Sequence, residues 1–148
     1  MSDSTSTPVI VVGADGSDLS IDALRWAADQ ARLTGARLVV VTGYEPPVTI
    51  MIVPTWTEED YALEAEKALE HTVVAALGVN PDVPVERRLV QRRPAHALTE
   101  AARGASLLVV GSHGRGELPG MHLGSVAGYC VHHAPCPVLV LRRATNGR

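Results

Sequence analysis

Four short runs of consecutive apolar residues divide the chain, and polar residues alternate with apolar ones in none of them. The runs cover residues 9–12, 38–41, 107–110 and 138–141. Continuous apolar runs of this length are typical of strands that helices cover on both faces, as in a parallel sheet. A fifth candidate strand, 83–90, mixes apolar residues with a glutamate and two arginines, and such charges are typical of an edge strand.

Helical patterns fill the intervals between these strands. Residues 18–34 and 58–77 each carry one apolar stripe at helical spacing and begin beside a polar residue that can cap the helix. A short helix that opens with a proline is predicted over 94–103, and a last helix begins near Ser125 and ends before Pro135. The order βαβαβαβαβ predicts a doubly wound α/β fold whose five strands form an open, mainly parallel sheet.

Length, composition and charge place this fold in a single cytoplasmic domain. The 148 residues suffice for one core, which we predict over 8–143 with disordered polar tails at 1–7 and 144–148. A net charge of −3 gives no general attraction to nucleic acid or to an anionic membrane. Residues 1–7 carry neither a basic nor an apolar stretch, so we expect no secretion signal there, and no apolar run approaches the roughly 18 residues that span a bilayer. Cys130 and Cys136 lack the spacing of a metal site and are interpreted as small, half-buried residues.

One connection is unusually apolar. Residues 44–56 lie between a strand and a helix and contain three prolines. We interpret them as a loop that packs over one end of the sheet. The alternative is a lid or a partner surface, since large exposed apolar patches usually mark contacts.

The candidate chemistry lies in a glycine-rich loop and in a second glycine site further along the chain. Residues 111–116 read Gly-Ser-His-Gly-Arg-Gly directly after a buried strand, and residues 124–126 read Gly-Ser-Val where the last helix should begin. Glycines let backbone N–H groups point at phosphate oxygens, and a helix start adds further N–H groups and the positive end of a dipole. The stretch from Gly111 to Ser125 therefore predicts a backbone cradle for nucleotide phosphates.

The first strand ends in a similar turn, Gly-Ala-Asp-Gly-Ser at 13–17. In open α/β sheets, ligands bind beyond the carboxyl ends of strands where the strand order reverses. If the first and fourth strands are neighbours, this turn and the glycine-rich loop face one crevice. Asp15 could then accept a hydrogen bond from a sugar hydroxyl or help to hold a metal, or it could form the turn and cap the first helix. The spacing matches neither a Walker P-loop nor a dinucleotide fingerprint.

Three segments, in order along the chain, resemble one protein family. Residues 111–125 match the G-x2-G-x9-G-[S/T] signature of the ATP-binding universal stress proteins, and residues 11–17 and 132–138 also look like that family. The resemblance implies the strand order 3-2-1-4-5 in a Rossmann-like fold of the adenine nucleotide alpha hydrolase type. It also implies a homodimer through the last strand, Val138–Leu141.

The resemblance further implies which residues bind the nucleotide. Gly13 and Asp15 would border the adenosine side, and the backbone from Val41 to Gly43 would touch the base. The full set of implied binding residues is Gly13, Ala14, Asp15, Val41, Gly43, Val110, Gly111, His113, Gly114, Arg115, Gly124, Ser125 and Val126. The loop members would line the ribose and phosphates, and the last three would hold the phosphate tail. The implied ligand is ATP, with AMP or cyclic AMP as alternatives. No metal is expected on protein ligands alone, although Asp15 could meet Mg²⁺ carried by ATP.

We therefore predict a nucleotide-binding protein of stress response or signalling that is non-catalytic or nearly so. No clear general base and no pair of metal-binding acids stands near the cradle, where Asp15 and Glu117 are the nearby carboxylates. The alternatives are a slow ATPase or autophosphorylating protein, a cyclic AMP or AMP binder with the same pocket, and a dimeric interaction module with a structural glycine loop.

Two further features are interpreted as structural. The arginines within 87–93 lack interleaved aromatic residues, so an edge-strand surface explains them better than a nucleic-acid site. Gly128 lies inside the last predicted helix, where glycine costs about 1 kcal/mol relative to alanine. Close packing against a neighbour is the one explanation that we offer for it.

Overall fold

Strands and helices alternate throughout the residues that the computed structural model describes, which are 6–47, 56–115 and 123–143. The strands are β1 (Val9–Gly13), β2 (Arg37–Gly43), β3 (Val85–Val90), β4 (Leu107–Gly111) and β5 (Val138–Leu141). The helices are α1 (Asp18–Thr34), α2 (Glu58–Leu77), α3 (Pro94–Ala101) and α4 (Ser125–His133). The predicted element order is confirmed.

Some predictions fall outside the described residues. These are the tails at 1–5 and 144–148 and the larger part of the apolar connection, 48–55. No helix in the described part of the chain is long and apolar enough to cross a membrane.

The boundaries of two elements differ from those predicted. β3 begins at Val85 rather than at residue 83, because Pro84 has no N–H to continue the ladder. The carbonyl of Pro84 still accepts a hydrogen bond from the Leu38 N–H at 2.9 Å. α3 ends at Ala101, two residues earlier than predicted, which is within the ordinary fraying of helix ends.

All five strands form one sheet in the order β3-β2-β1-β4-β5, and all four strand pairings are parallel. The order 3-2-1-4-5 is confirmed. β1 lies at the centre, where Val11 is opposite Val39 of β2 and Leu108 of β4. The chain winds outward from β1 to β2 and β3, then returns to place β4 on the other side of β1. The strand order therefore reverses between β1 and β4.

Apolar clusters cover both faces of the sheet. α1 and α2 pack on one face, where Val12, Leu24 and Val40 are fully buried. α3 and α4 pack on the other face, against fully buried Val11 and Leu108. Successive residues of each strand thus enter opposite clusters, which explains why the strands are continuous apolar runs. Each such side chain stabilises the fold by about 1.5–3 kcal/mol on burial.

Polar caps define the two long helices. The Ser17 hydroxyl caps α1 by accepting from the Ser20 N–H at 3.2 Å, and Gly35 ends that helix in the left-handed conformation. Thr57 and Asp60 form a reciprocal capping box at the start of α2.

Each arginine within 87–93 has a glutamate partner. The pairs, with their nitrogen–oxygen distances, are Arg87–Glu70 (2.9 Å), Arg88–Glu86 (2.6 Å), Arg92–Glu100 (2.9 Å) and Arg93–Glu45 (3.6 Å). The positive charge of this segment is therefore balanced locally, in keeping with its interpretation as an edge-strand surface.

The interpretation of Gly128 as a site of close packing is wrong. Gly128 lies in α4, and a Cβ added to it would meet no heavy atom of the described residues within 4 Å apart from its chain neighbours and the adjacent backbone of its own helix. Close packing against the described residues therefore does not explain why glycine occupies this position.

The two cysteines are free thiols in the cluster beneath α4. Cys130 is fully buried and Cys136 is half-buried. Burial, aided by the nearby Cys136, raises the pKa of the Cys130 thiol to about 11, so this thiol stays protonated at neutral pH. Such a group behaves as a small apolar side chain.

Candidate functional site

A cavity of about 460 Å³ lies at the carboxyl ends of β1, β2 and β4. Its place follows from the topology, because the strand order reverses between β1 and β4 and leaves a crevice beyond their ends. The turn after β1 and the loop after β4 both face this crevice, as predicted for neighbouring strands.

The structure brings twelve of the thirteen predicted binding residues to this cavity. They are Gly13, Ala14, Asp15, Val41, Gly43, Val110, Gly111, His113, Gly114, Arg115, Ser125 and Val126. Gly124 is not among the lining residues. It is the N-cap of α4, and its N–H donates to the Ser112 carbonyl at 2.8 Å, which ties the helix start to the loop after β4. That these residues bind a nucleotide stays a prediction.

Three residues that line the cavity were not predicted, namely Ser20, Pro94 and Leu98, whereas Thr42 lies within the predicted stretch from Val41 to Gly43. Pro94 and Leu98 come from α3, which passes close to the end of β2. A Cβ added to Gly43 would lie 2.8 Å from the Pro94 Cα, so glycine is what admits the helix here. The signal available in the sequence was a glycine at the end of a strand, followed three elements later by a helix that opens with proline.

The Asp15 carboxylate connects the turn after β1 with the glycine-rich loop. Its Oδ1 accepts from the Ser17 N–H at 2.9 Å and from the Ser17 hydroxyl at 2.5 Å. Its Oδ2 accepts a hydrogen bond from the backbone N–H of Arg115 at 2.8 Å, and the two residues are 100 positions apart in the sequence. Asp15 therefore forms the turn, as one interpretation held, but the cap of α1 is Ser17 and not Asp15. Both carboxylate oxygens are engaged by the protein.

Hydroxyl groups from two other elements hold the same turn. The Thr42 hydroxyl, on β2, donates to the Ala14 carbonyl at 2.7 Å. The fully buried Thr72 hydroxyl, on α2, accepts from the Gly16 N–H at 3.0 Å and donates to the Ala68 carbonyl at 2.8 Å. Gly16 has a φ of +83°, a conformation that favours glycine. The turn is thus fixed from the sheet and from α2 together.

The sequence model described as the universal stress protein family matches residues 7–142. The chain belongs to the universal stress protein family. The resemblance read from the three sequence segments is confirmed.

Individual members of the family share most of this chain. A universal stress protein of Mycobacterium tuberculosis is 39% identical over 135 residues, which cover 91% of this chain and 45% of the relative. The chain thus spans about half the length of the curated mycobacterial relatives that it matches.

Two solved structures of the family resemble this one. A universal stress protein in complex with cAMP is 28% identical, with a TM-score of 0.65 over 95% of this chain and 100% of the other. The universal stress protein from Archaeoglobus fulgidus in complex with dAMP is 25% identical, with a TM-score of 0.64 over 91% and 97%.

In this universal stress protein, charges gather at the glycine-rich end of the cavity. The Arg115 guanidinium lies 3.9 Å from the Glu64 carboxylate of α2, and both side chains are about half exposed or more. The buried Ser112 hydroxyl lies 3.0 Å from Nδ1 of His113. No group of three or more potential metal ligands occurs among the described residues, and Glu117 lies outside them.

Replacing Thr72 by valine tests whether its hydrogen bond from α2 stabilises the turn after β1 in this universal stress protein. Valine keeps the shape but leaves the Gly16 N–H without its acceptor, so we expect a loss of about 1–3 kcal/mol in unfolding free energy. Hydrogen exchange of the Gly16 amide should become faster in Thr72→Val and stay slow in Thr72→Ser, which keeps the hydroxyl. Equal exchange in Thr72→Val and wild type would show that this hydrogen bond does not hold the turn.

Proposed function

We propose that this protein binds an adenine nucleotide, with ATP as its principal ligand, and acts without catalysis in cytoplasmic stress response or signalling. One observation carries the proposal. The glycine-rich loop after β4 and the first turn of α4 line the same cavity, at the place where the strand order reverses. Loops and helix starts of this kind bind phosphates through backbone N–H groups.

The end of the cavity at the start of α4 fits the phosphates of such a ligand. The cavity volume of about 460 Å³ lies within the usual range of small-molecule sites. Ser125 and Val126, at the start of α4, line the cavity, and the N-cap Gly124 provides no side-chain cap. The first turn of a helix carries N–H groups without intrahelical partners and the positive end of the dipole, so an anion there is favoured.

The opposite end of the cavity fits the adenine base of a nucleotide. Val41, Pro94 and Leu98 provide an apolar wall, and the backbone of β2 ends beside it. A flat aromatic base needs apolar contact together with a few backbone polar groups. The relatives solved with cAMP and with dAMP support an adenine ligand, and they leave the number of phosphates to be measured.

The position of Asp15 supports nucleotide holding over nucleotide hydrolysis. Its oxygens already accept three hydrogen bonds, which occupy most of the about four acceptor positions of a carboxylate and lower its basicity and its capacity to ligate Mg²⁺. We infer that Mg²⁺ carried by ATP would be held mainly by the phosphates.

A second copy of the chain is the proposed partner. β5 is an edge strand, and all four of its residues, Val138–Leu141, are half-buried. An apolar sheet edge of this kind can pair with the same strand of another copy. Sedimentation of the purified protein should therefore give the mass of a dimer, and a monomer at all concentrations would exclude this arrangement.

The ligand can be identified directly. The purified protein is denatured, and any adenine nucleotide in the supernatant is identified by mass spectrometry. Calorimetric titration with ATP, AMP and cyclic AMP then ranks the ligands, and phosphate release over hours measures hydrolysis. No co-purified nucleotide and no titratable binding would refute the proposal, and steady phosphate release would favour the slow ATPase.

Gly114→Ala should abolish nucleotide binding with little loss of fold. Gly114 lines the cavity, so the methyl group of alanine would occupy space in the proposed phosphate path. Calorimetry measures the affinity, and circular dichroism measures the fold. Gly128→Ala, outside the cavity lining, is the control and should bind as wild type does. Unchanged ATP affinity in Gly114→Ala would refute the cradle.

A further inference from the structure

At the glycine-rich end of the cavity, one arginine lies between two carboxylates. Among the lining residues that the structure describes, Arg115 is the one arginine or lysine. The backbone N–H and the guanidinium of Arg115 each face a carboxylate. The backbone N–H donates a hydrogen bond to Asp15, and the guanidinium lies 3.9 Å from the Glu64 carboxylate. Two acids therefore oppose one cation where the phosphates of a nucleotide are proposed to lie.

Glu64 is held in this place by the face of α2 to which it belongs. Glu64, Ala68 and Thr72 follow one another at intervals of four residues, so they share one side of the helix. Thr72 binds the Gly16 N–H, and the Ala68 Cβ lies 3.4 Å from the position that a Cβ on Gly16 would occupy. Because these two contacts fix the helix against the turn, Glu64 is directed to the mouth of the cavity.

A carboxylate beside a phosphate site opposes binding in proportion to the charge of the ligand. Each added phosphate charge is repelled by Glu64, whereas the contacts of the adenosine part are unaffected. Glu64 also pairs with Arg115 and so competes with the phosphates for this guanidinium. The Glu64 side chain is 47% exposed and that of Arg115 is 63% exposed, so solvent screens the effect and keeps it moderate.

We propose that Glu64 determines the preference of this cavity among adenine nucleotides according to their phosphate charge, lowering the affinity for ATP relative to that for cyclic AMP. The proposal rests on the proposed nucleotide-binding function and names the residue that tunes it. Glu64 does not line the cavity and acts through its charge and through Arg115.

Glu64→Gln is the test, measured by calorimetric titration of the full chain with ATP and with cyclic AMP. We expect the ATP affinity to rise about three- to tenfold and the cyclic AMP affinity to change less than about twofold at low ionic strength. The gain for ATP should shrink as salt is added. Glu70→Gln is the matched control, because it removes the same charge from the same helix and breaks the pair with Arg87 of β3.

The possible outcomes separate the two proposals. If the wild type binds both nucleotides but Glu64→Gln raises both affinities equally, or behaves as Glu70→Gln does, the role of Glu64 is refuted while the binding function stands. If the wild type binds neither nucleotide, both proposals fail. Thermal unfolding of both variants should match the wild type within a few degrees, because each pair is exposed.

Discussion

Asp15→Ala is expected to weaken cyclic AMP binding by about ten- to a hundredfold, the worth of one or two hydrogen bonds to a charged group. In the wild type, the carboxylate of Asp15 fixes the Arg115 N–H and the Ser17 N–H at once. Without it, the glycine-rich loop is detached from the turn after β1, and the nucleotide must order the loop itself. Isothermal calorimetry measures the affinity.

Two effects oppose each other in this variant, and the ligand charge separates them. Loss of the carboxylate also removes a negative charge near the phosphates, which favours anionic ligands. ATP should therefore lose less affinity than cyclic AMP does. Asp18→Ala is the control, because Asp18 is an exposed acid in the first turn of α1 and lies outside the cavity lining. An Asp15→Ala protein that binds cyclic AMP as tightly as Asp18→Ala would disprove the linking role of Asp15.

The sheet could be predicted from the sequence because burial leaves a direct pattern. Strands covered on both faces must be apolar at every position, and helices packed on one face must be apolar at one stripe, so Val11 and Leu24 are readable as core residues. The order of the strands could not be predicted from this pattern. Apolar runs do not specify their neighbours, and the order 3-2-1-4-5 was available only through the resemblance to a family.

The supporting contacts of the site could not be predicted in the same way. The bond between Thr72 and Gly16 joins residues 56 positions apart, and that between Asp15 and Arg115 joins residues 100 positions apart. The first contact depends on where α2 crosses the sheet, and the second depends on how the turn after β1 meets the loop after β4, and no local pattern specifies either. In the sequence, Thr72 is one polar residue within the predicted helix 58–77, and nothing in that pattern marks it as a contact. Its spacing from Ala68 and Glu64 nevertheless places the three residues on one face. Glycines were ambiguous for the same reason, since Gly43 and Gly128 look alike in sequence and differ in surroundings.

Gly43→Ala should destabilise the protein by about 2–3 kcal/mol, the cost of overpacking a close contact. The added Cβ would lie 2.8 Å from the Pro94 Cα, 2.9 Å from the Ala97 Cβ and 2.9 Å from the Arg92 carbonyl oxygen. Two of these three atoms belong to the backbone, so no side-chain rotation relieves the clash and the start of α3 must move. In a chain of this size the melting temperature should fall by about 6–9 °C, as measured by calorimetry or circular dichroism.

Gly128→Ala is the matched control and should have the opposite sign. Outside its chain neighbours and the adjacent backbone of its own helix, its added Cβ meets none of the described residues within 4 Å, and alanine favours the helix by about 1 kcal/mol over glycine. The two variants make the same chemical change, so the difference between them isolates the contact of Gly43 with α3. Because Pro94 and Leu98 of α3 line the cavity, Gly43→Ala should also weaken nucleotide binding, whereas Gly128→Ala should not. Equal melting temperatures in the two variants would mean that α3 does not pack closely on the end of β2, and the apolar wall proposed for the base would lose its support.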